Sequence, residues 1–109
     1  EPKIVTTNKI TYNGDFPTEP ILRLATQAGS EIRILHLETQ RYIRLKATYI
    51  QGLNLLVNCE TREITLNGRN ELMNFDMVNS RYFKLQKGVN TFQVVGALLN
   101  SIEYKEVFA

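Results

Sequence analysis

The most constraining feature of the sequence is a hairpin signal near its centre, in residues 55–68. An apolar run at residues 55–58 is followed by a short polar turn at residues 60–62. A second run rich in β-forming side chains, residues 64–66, then ends at Asn67-Gly68. An Asn-Gly pair readily takes the two positive φ angles of a tight type I′ turn, and that turn joins antiparallel strands. The segment therefore predicts two paired strands followed by another tight reversal.

A second hairpin is predicted further along the chain. Residues 82–85 and 90–95 are two β-rich runs, and the reversal between them lies at residues 86–88. Gly88 can take a left-handed conformation at little steric cost, and the Asn90 side chain can hydrogen-bond nearby backbone groups. Antiparallel pairing of the two runs is therefore expected.

The rest of the chain also predicts strands and turns rather than long helices. Residues 42–47 alternate between apolar and polar side chains, which is the period of a half-buried strand. Residues 71–78 fit either a single helical turn or an irregular crossing. A loop rich in Gly and Pro near the start excludes helix, and its turn-forming residues are Asn13, Gly14, Pro17 and Pro20. Further strands are expected within residues 3–12, 21–24, 31–38 and 101–108.

The strand count predicts the fold class. About eight to ten short strands, with turn signals every 8–12 residues or so, favour an all-β fold, built as an antiparallel two-sheet β-sandwich or a jelly roll. The alternation of side chains along these strands also predicts which residues face the core. They are Ile32, Ile34, Leu45, Leu55, Val57, Ile64, Leu66, Phe92, Val94 and Ile102.

Length, charge and cysteine content exclude several classes of protein. A chain of 109 residues fits one domain with one core. The net charge is only +2 and the basic residues are scattered, so no patch for nucleic acid or an anionic membrane is expected. No apolar run approaches the roughly 20 residues of a membrane-spanning helix. Cys59 is the only cysteine, so an intrachain disulfide and a zinc site made of cysteines are both excluded.

The chemistry-bearing residues do not predict an enzyme. His36 is the only histidine, and no nucleophile motif accompanies it. The carboxylates are dispersed over turns and polar faces, without metal-ligand spacing or a pair across a cleft. We therefore expect neither a catalytic activity nor a cofactor.

Sugar binding is the alternative function that a β-sandwich leaves open. Sugar platforms use exposed aromatic rings beside polar side chains, and the chain has five tyrosines but no tryptophan. Tyr42 shares the polar face of its predicted strand with Arg44, so it is the tyrosine with the best placement for a sugar contact.

Four pieces of sequence, in order, resemble the C-terminal, galectin-like module of the siphophage distal tail protein (Dit) family. They are the loop at residues 12–21, the central hairpin at 57–70, the Ser-x-aromatic-aromatic-x-Leu segment at 80–85 and the Gly-x-Asn turn at 88–90. Two positions depart from the family pattern: Lys87 stands where proline is common and Tyr82 where tryptophan is frequent. The sugar-binding signature of true galectins is missing, so the resemblance implies the sandwich and not a sugar site.

The resemblance implies a structural protein of the virion, located at the tail tip. In the family, a separate N-terminal domain forms a hexameric ring, and the C-terminal module projects from it to dock receptor-binding or baseplate proteins. The chain begins at Glu1 without methionine, so we expect it to be the C-terminal module of a longer protein that assembles in the host cytoplasm. The module alone is expected to be a monomer or weak dimer. Its predicted outward residues are charged, among them Arg44, Lys46, Glu63, Lys84, Glu103 and Lys105.

Overall fold

The computed structural model describes residues 3–109 and contains ten β-strands and one 3-10 turn, Leu72–Asn74. The strands, numbered in chain order, are β1 (Lys3–Val5), β2 (Lys9–Tyr12), β3 (Ile21–Thr26), β4 (Gly29–His36), β5 (Arg41–Tyr49), β6 (Asn54–Asn58), β7 (Glu63–Leu66), β8 (Arg69–Asn70), β9 (Gly88–Val95) and β10 (Ala97–Tyr104).

The strands form two antiparallel sheets, which confirms the predicted all-β sandwich. The larger sheet has six strands in the order β1-β10-β3-β6-β7-β8, and the smaller sheet has four in the order β2-β9-β4-β5. Several strands pair with partners that are not their neighbours in sequence. Strand β3 pairs with β6, and β9 lies between β2 and β4. The chain thus changes sheet several times, and each change places a loop at an end or a side of the sandwich.

The core lies between the inner faces of the two sheets. Eight of the ten residues predicted to face it are fully buried, with at most 1% of their surface exposed. The other two, Leu66 and Val94, are only half-buried. Leu66 pairs with Arg69 of the two-residue edge strand β8, so little structure covers it on that side. Val94 lies one residue before the exposed Val95, close to the point where the chain leaves the small sheet.

The central hairpin has the predicted strands, joined by a slightly longer loop. Asn58 pairs with Glu63, so the loop comprises residues 59–62 rather than 60–62. In the next reversal, Leu66 pairs with Arg69 and the two residues between them have positive φ angles, 50° at Asn67 and 82° at Gly68. Those angles are the ones a type I′ turn requires.

The second predicted hairpin is wrong. Residues 82–85 form no strand and contribute one isolated bridge, between Leu85 and Thr18. Strand β9 pairs with β2 on one side and with β4 on the other, so both of its edges are occupied by distant strands. The run 82–85 therefore does not pair with the strand that follows it.

The closing strand begins earlier than predicted. Strand β10 starts at Ala97, directly after Gly96, whereas the side-chain pattern placed it at residues 101–108. The pairing of β10 with β3 shifts register between Leu99 and Ser101, and this irregularity breaks the alternation on which the prediction depended. Residues 105–108 leave the sheet, and Val107 forms a single bridge with Phe16.

The segment after β8 protects an edge of the small sheet. The 3-10 turn is followed by a bridge between Phe75 and Leu45 of strand β5. The backbone N–H of Asp76 then donates to the carbonyl of Arg44, and the N–H of Arg81 donates to the carbonyl of Tyr42. These bonds cover the outer edge of β5, which would otherwise be open to another strand.

Candidate functional site

The first loop, which contains four of the predicted turn residues, contacts the last residues of the chain. Tyr12 is buried, and its hydroxyl donates to the carbonyl of Phe16 (2.6 Å) and accepts the backbone N–H of Val107 (3.0 Å). Gly14 is required beside it, because a Cβ at this position would overlap the Tyr12 hydroxyl. The loop is therefore tied to the last residues of the chain.

The other predicted residues of this loop differ in burial. Asn13 is exposed and its backbone N–H donates to a carboxylate oxygen of Glu106 (3.2 Å). Pro17 is also exposed, whereas Pro20 is buried and its carbonyl accepts the backbone N–H of Cys59 (3.0 Å). All of these contacts position backbone groups of the loop.

A buried polar network fixes the turn at Gly88 and Asn90. Gly88 has a φ of 98°, and Asn90 is fully buried. The Asn90 Nδ2 donates to the carbonyls of Gln86 (2.7 Å) and Gly88 (3.1 Å), while its Oδ1 accepts the backbone N–H of Gln86 (2.8 Å). The same Oδ1 lies 2.8 Å from Nε2 of His36, which is also fully buried. Because backbone groups determine the orientation of the amide, Nε2 of His36 must carry the proton.

The other ring nitrogen of His36 is engaged as well. Its Nδ1 lies within hydrogen-bond distance, 2.7 Å, of the hydroxyl oxygen of Thr39. The ring also stacks on Phe83, with 5.4 Å between ring centroids. His36 therefore connects β4 to the segment after residue 82, and neither nitrogen faces solvent.

Glu38 lies beside this network. One of its carboxylate oxygens accepts the backbone N–H of Thr91 at 2.7 Å and lies 3.6 Å from Nε2 of His36. Partial burial would raise the pKa of Glu38, but the Thr91 hydrogen bonds outweigh it and lower that pKa below its usual value. Glu38 thus connects the loop after β4 to strand β9 through Thr91.

Cys59 has no features of a reactive thiol. Its side chain is fully buried, and that burial raises the pKa of the thiol to about 12. A thiol with such a pKa is almost wholly protonated at neutral pH.

Residues 3–109 also contain no group of three or more His, Cys, Asp or Glu side chains that could hold a metal ion. Their one helical element, a turn of three residues, is far too short to cross a membrane.

Tyr42 lies where the pattern placed it, on the outer side of β5. It alternates with the buried Ile43 and is itself half-buried. Its backbone carbonyl is occupied by Arg81. The sugar contact at this residue stays a prediction.

Two grooves surround a different tyrosine, Tyr82. A polar groove of about 520 Å³ lies on one side of it, lined among others by Glu19, Arg41 and Lys84. An apolar groove of about 420 Å³ lies on the other side, and Arg62 and Tyr82 line both. No sequence motif predicted this surface, because it combines Glu19, residues 38–41, Arg62 and residues 72–86, which are distant from one another along the chain.

The ring of Tyr82 is held in place by its neighbours. The guanidinium carbon of Arg62 lies 5.5 Å from the ring centroid, and the ring of Phe75 packs against it at 5.5 Å. The Tyr82 hydroxyl donates to the backbone carbonyl of Arg62 (3.2 Å). The Tyr82 ring therefore lies between the two grooves and is held there by Arg62 and Phe75.

A family model for the siphovirus-type tail component, C-terminal domain, matches residues 13–108 of the chain. Among solved structures, the chain is similar to the SPP1 Dit (gp 19.1) protein, described as a paradigm of the hub adsorption apparatus in phages that infect Gram-positive bacteria. The two share 15% sequence identity with a TM-score of 0.75, and the match covers 97% of this chain and 45% of that one. The chain thus spans less than half the length of that protein. No curated protein sequence matches it.

Proposed function

Because the chain belongs to the family of siphovirus-type tail component C-terminal domains, we propose that it is the C-terminal module of a distal tail protein. The family places the protein in the virion, as a structural component of the tail. In the proposal, the module projects from a ring at the end of the tail tube and docks receptor-binding or baseplate proteins. Assembly takes place in the host cytoplasm.

The observation that carries the proposal is the extent of the match. The family model covers nearly the whole described chain, and the sandwich has the same fold as part of SPP1 Dit. The remainder of that solved chain is longer than the part matched here. In the proposal, the rest of a longer protein of this kind positions the module in the tail, and the module contributes surfaces that bind other proteins. The proposed role is structural because the family is that of a tail component.

We expect residues 1–109 alone to be a monomer or weak dimer, and the full-length protein to be a hexamer. Closed rings need a large, recurring interface, and the proposal assigns that interface to another domain. Light scattering on both proteins measures the mass directly. A stable hexamer of residues 1–109 would contradict this division between domains, and a monomeric full-length protein would contradict the tail-ring assignment.

A carbohydrate-binding module is the second candidate function, favoured only by the outward placement of Tyr42 beside Arg44. We expect no measurable binding of bacterial cell-wall saccharides, because Tyr42 is half-buried and the ring of Tyr82 is already contacted by other side chains. Calorimetric titration tests this. A saturable signal that Tyr42→Ala abolishes, and Tyr104→Phe leaves intact, would establish the sugar function instead.

A further inference from the structure

The segment after β8 presents large apolar side chains to solvent. Met73, Met77 and Val78 have 89%, 76% and 77% of their surface exposed. Single exposed apolar residues are common on proteins, but a group of them on one short segment is typical of a binding surface.

These side chains belong to a well-anchored segment. The Tyr49 hydroxyl donates to a carboxylate oxygen of Glu71 (2.7 Å), which also accepts the Asn74 amide (2.9 Å). Burial and the Glu71 hydrogen bond raise the pKa of the Tyr49 phenol, so it stays protonated as a donor. Asp76 accepts the backbone N–H groups of Val78 and Asn79, both at 3.2 Å. The exposed side chains of Met73, Met77 and Val78 therefore lie on a segment whose start and middle are fixed by hydrogen bonds.

Beside them lies an apolar groove with a positively charged rim. It is the groove of about 420 Å³ described above, and we call it the Met77 groove. Its apolar walls are Leu72, Phe75, Met77 and Tyr82, and its other lining residues are Ser80, Arg62 and Arg81.

The two arginines of the rim have no acidic partner. Among residues 3–109, neither guanidinium forms an ion pair with a carboxylate, and no Asp or Glu lines the groove. The Arg81 guanidinium donates, within the described residues, only to the backbone carbonyls of Val78 and Ser80, and the Arg62 guanidinium lies over the Tyr82 ring. Both cations therefore retain N–H donors for an incoming carboxylate.

We propose that the Met77 groove binds a segment of a partner protein that carries apolar side chains flanked by carboxylates. The apolar side chains enter between Phe75 and Met77, and the carboxylates pair with Arg62 and Arg81. Methionine adapts its shape to an apolar partner, and arginine binds carboxylates through two parallel hydrogen bonds. The identification of the partner as another tail protein rests on the proposed function. The chemistry of the groove is independent of that proposal.

The two methionines make the groove directly observable. The chain has only Met73 and Met77, so a sample labelled with ¹³C at the methionine methyl groups gives two NMR signals, both from this segment. The probe is a nine-residue peptide of alternating leucine and glutamate, and its control has lysine in place of each glutamate. We expect the acidic peptide to shift the Met77 signal saturably and the basic peptide to bind at least about tenfold more weakly.

Two variants assign the binding to the groove. Met77→Lys lacks the Met77 signal, so its binding is measured by calorimetric titration; it should weaken the acidic peptide about tenfold or more, and Met77 is too exposed for the change to affect folding. Arg62→Glu should reduce the discrimination between the two peptides. Matched controls are Ile50→Lys, an equally drastic change at another exposed apolar residue, and Arg33→Glu on strand β4. Both controls should bind the acidic peptide as the parent does.

Three outcomes overturn the inference: an unchanged Met77 signal, equal binding of the two peptides, or signals that shift with protein concentration alone. The last would identify a second copy of the chain as the occupant. The tail proteins encoded with the chain then test the partner. If a tail protein binds the Met77→Lys variant as tightly as the parent, the Met77 groove is not its binding site, and the proposed function still stands. Peptide binding by a chain that binds no tail protein would uphold the groove and count against the proposed function.

Discussion

Replacing Asn90 with leucine is expected to destabilise the folded chain by about 3–5 kcal/mol, because each buried polar group left without a partner costs about 1–3 kcal/mol. The Asn90 amide satisfies four groups at once: Nε2 of His36, the N–H and C=O of Gln86, and the carbonyl of Gly88. Leucine has a similar size but satisfies none of them. A domain of this size is stable by about 5–15 kcal/mol in total, so the loss is a large fraction of that stability.

Urea unfolding followed by far-UV circular dichroism measures this effect, since the chain lacks tryptophan. The matched control is Asn100→Leu, at an exposed position in the irregular part of β10, which should stay within about 0.5 kcal/mol of the parent. Combining Asn90→Leu with His36→Phe should cost less than the sum of the two single changes, because the pair shares a hydrogen bond. An Asn90→Leu protein as stable as the parent would show that the network contributes nothing to stability.

Local sequence signals predicted the parts of the fold that depend on local geometry. Asn67-Gly68 predicted a tight turn because few other residue pairs take two positive φ angles, and the alternation of residues 42–47 predicted β5. Such signals act over two to six residues, so they require no knowledge of what the strand packs against.

Non-local pairing explains the failures. Residues 82–85 have the composition of a strand, but β9 pairs with β2 and β4, which lie more than 50 residues away in sequence. The predicted local contacts of Asn90 with the turn are confirmed, whereas its bond to His36, which spans 54 residues, was not predicted. The Met77 groove combines the 59–62 loop with residues 72–82, so no continuous motif could have predicted it.

Gly96 explains how the chain passes from one sheet to the other, and alanine there is expected to cost about 3–5 kcal/mol. It is the single residue between β9 of the small sheet and β10 of the large sheet. Its φ is 81°, and its carbonyl accepts the backbone N–H of Gln27 (2.9 Å). A Cβ at this position would overlap the backbone carbonyl oxygen of Glu31, which cannot rotate away as a side chain could.

A series of three glycine-to-alanine variants separates the two causes of that cost. Gly68 has a φ of 82° but open space around it, so Gly68→Ala should cost only the backbone strain, about 1–2 kcal/mol. Gly29 has neither a positive φ nor a neighbour within 4 Å, so Gly29→Ala should change stability by less than about 0.5 kcal/mol. The urea midpoint should therefore be highest for Gly29→Ala, lower for Gly68→Ala and lowest for Gly96→Ala. Equal losses at Gly96 and Gly68 would mean that the contact with Glu31 relaxes at no cost, and that the corner between the sheets needs only a left-handed residue and not glycine itself.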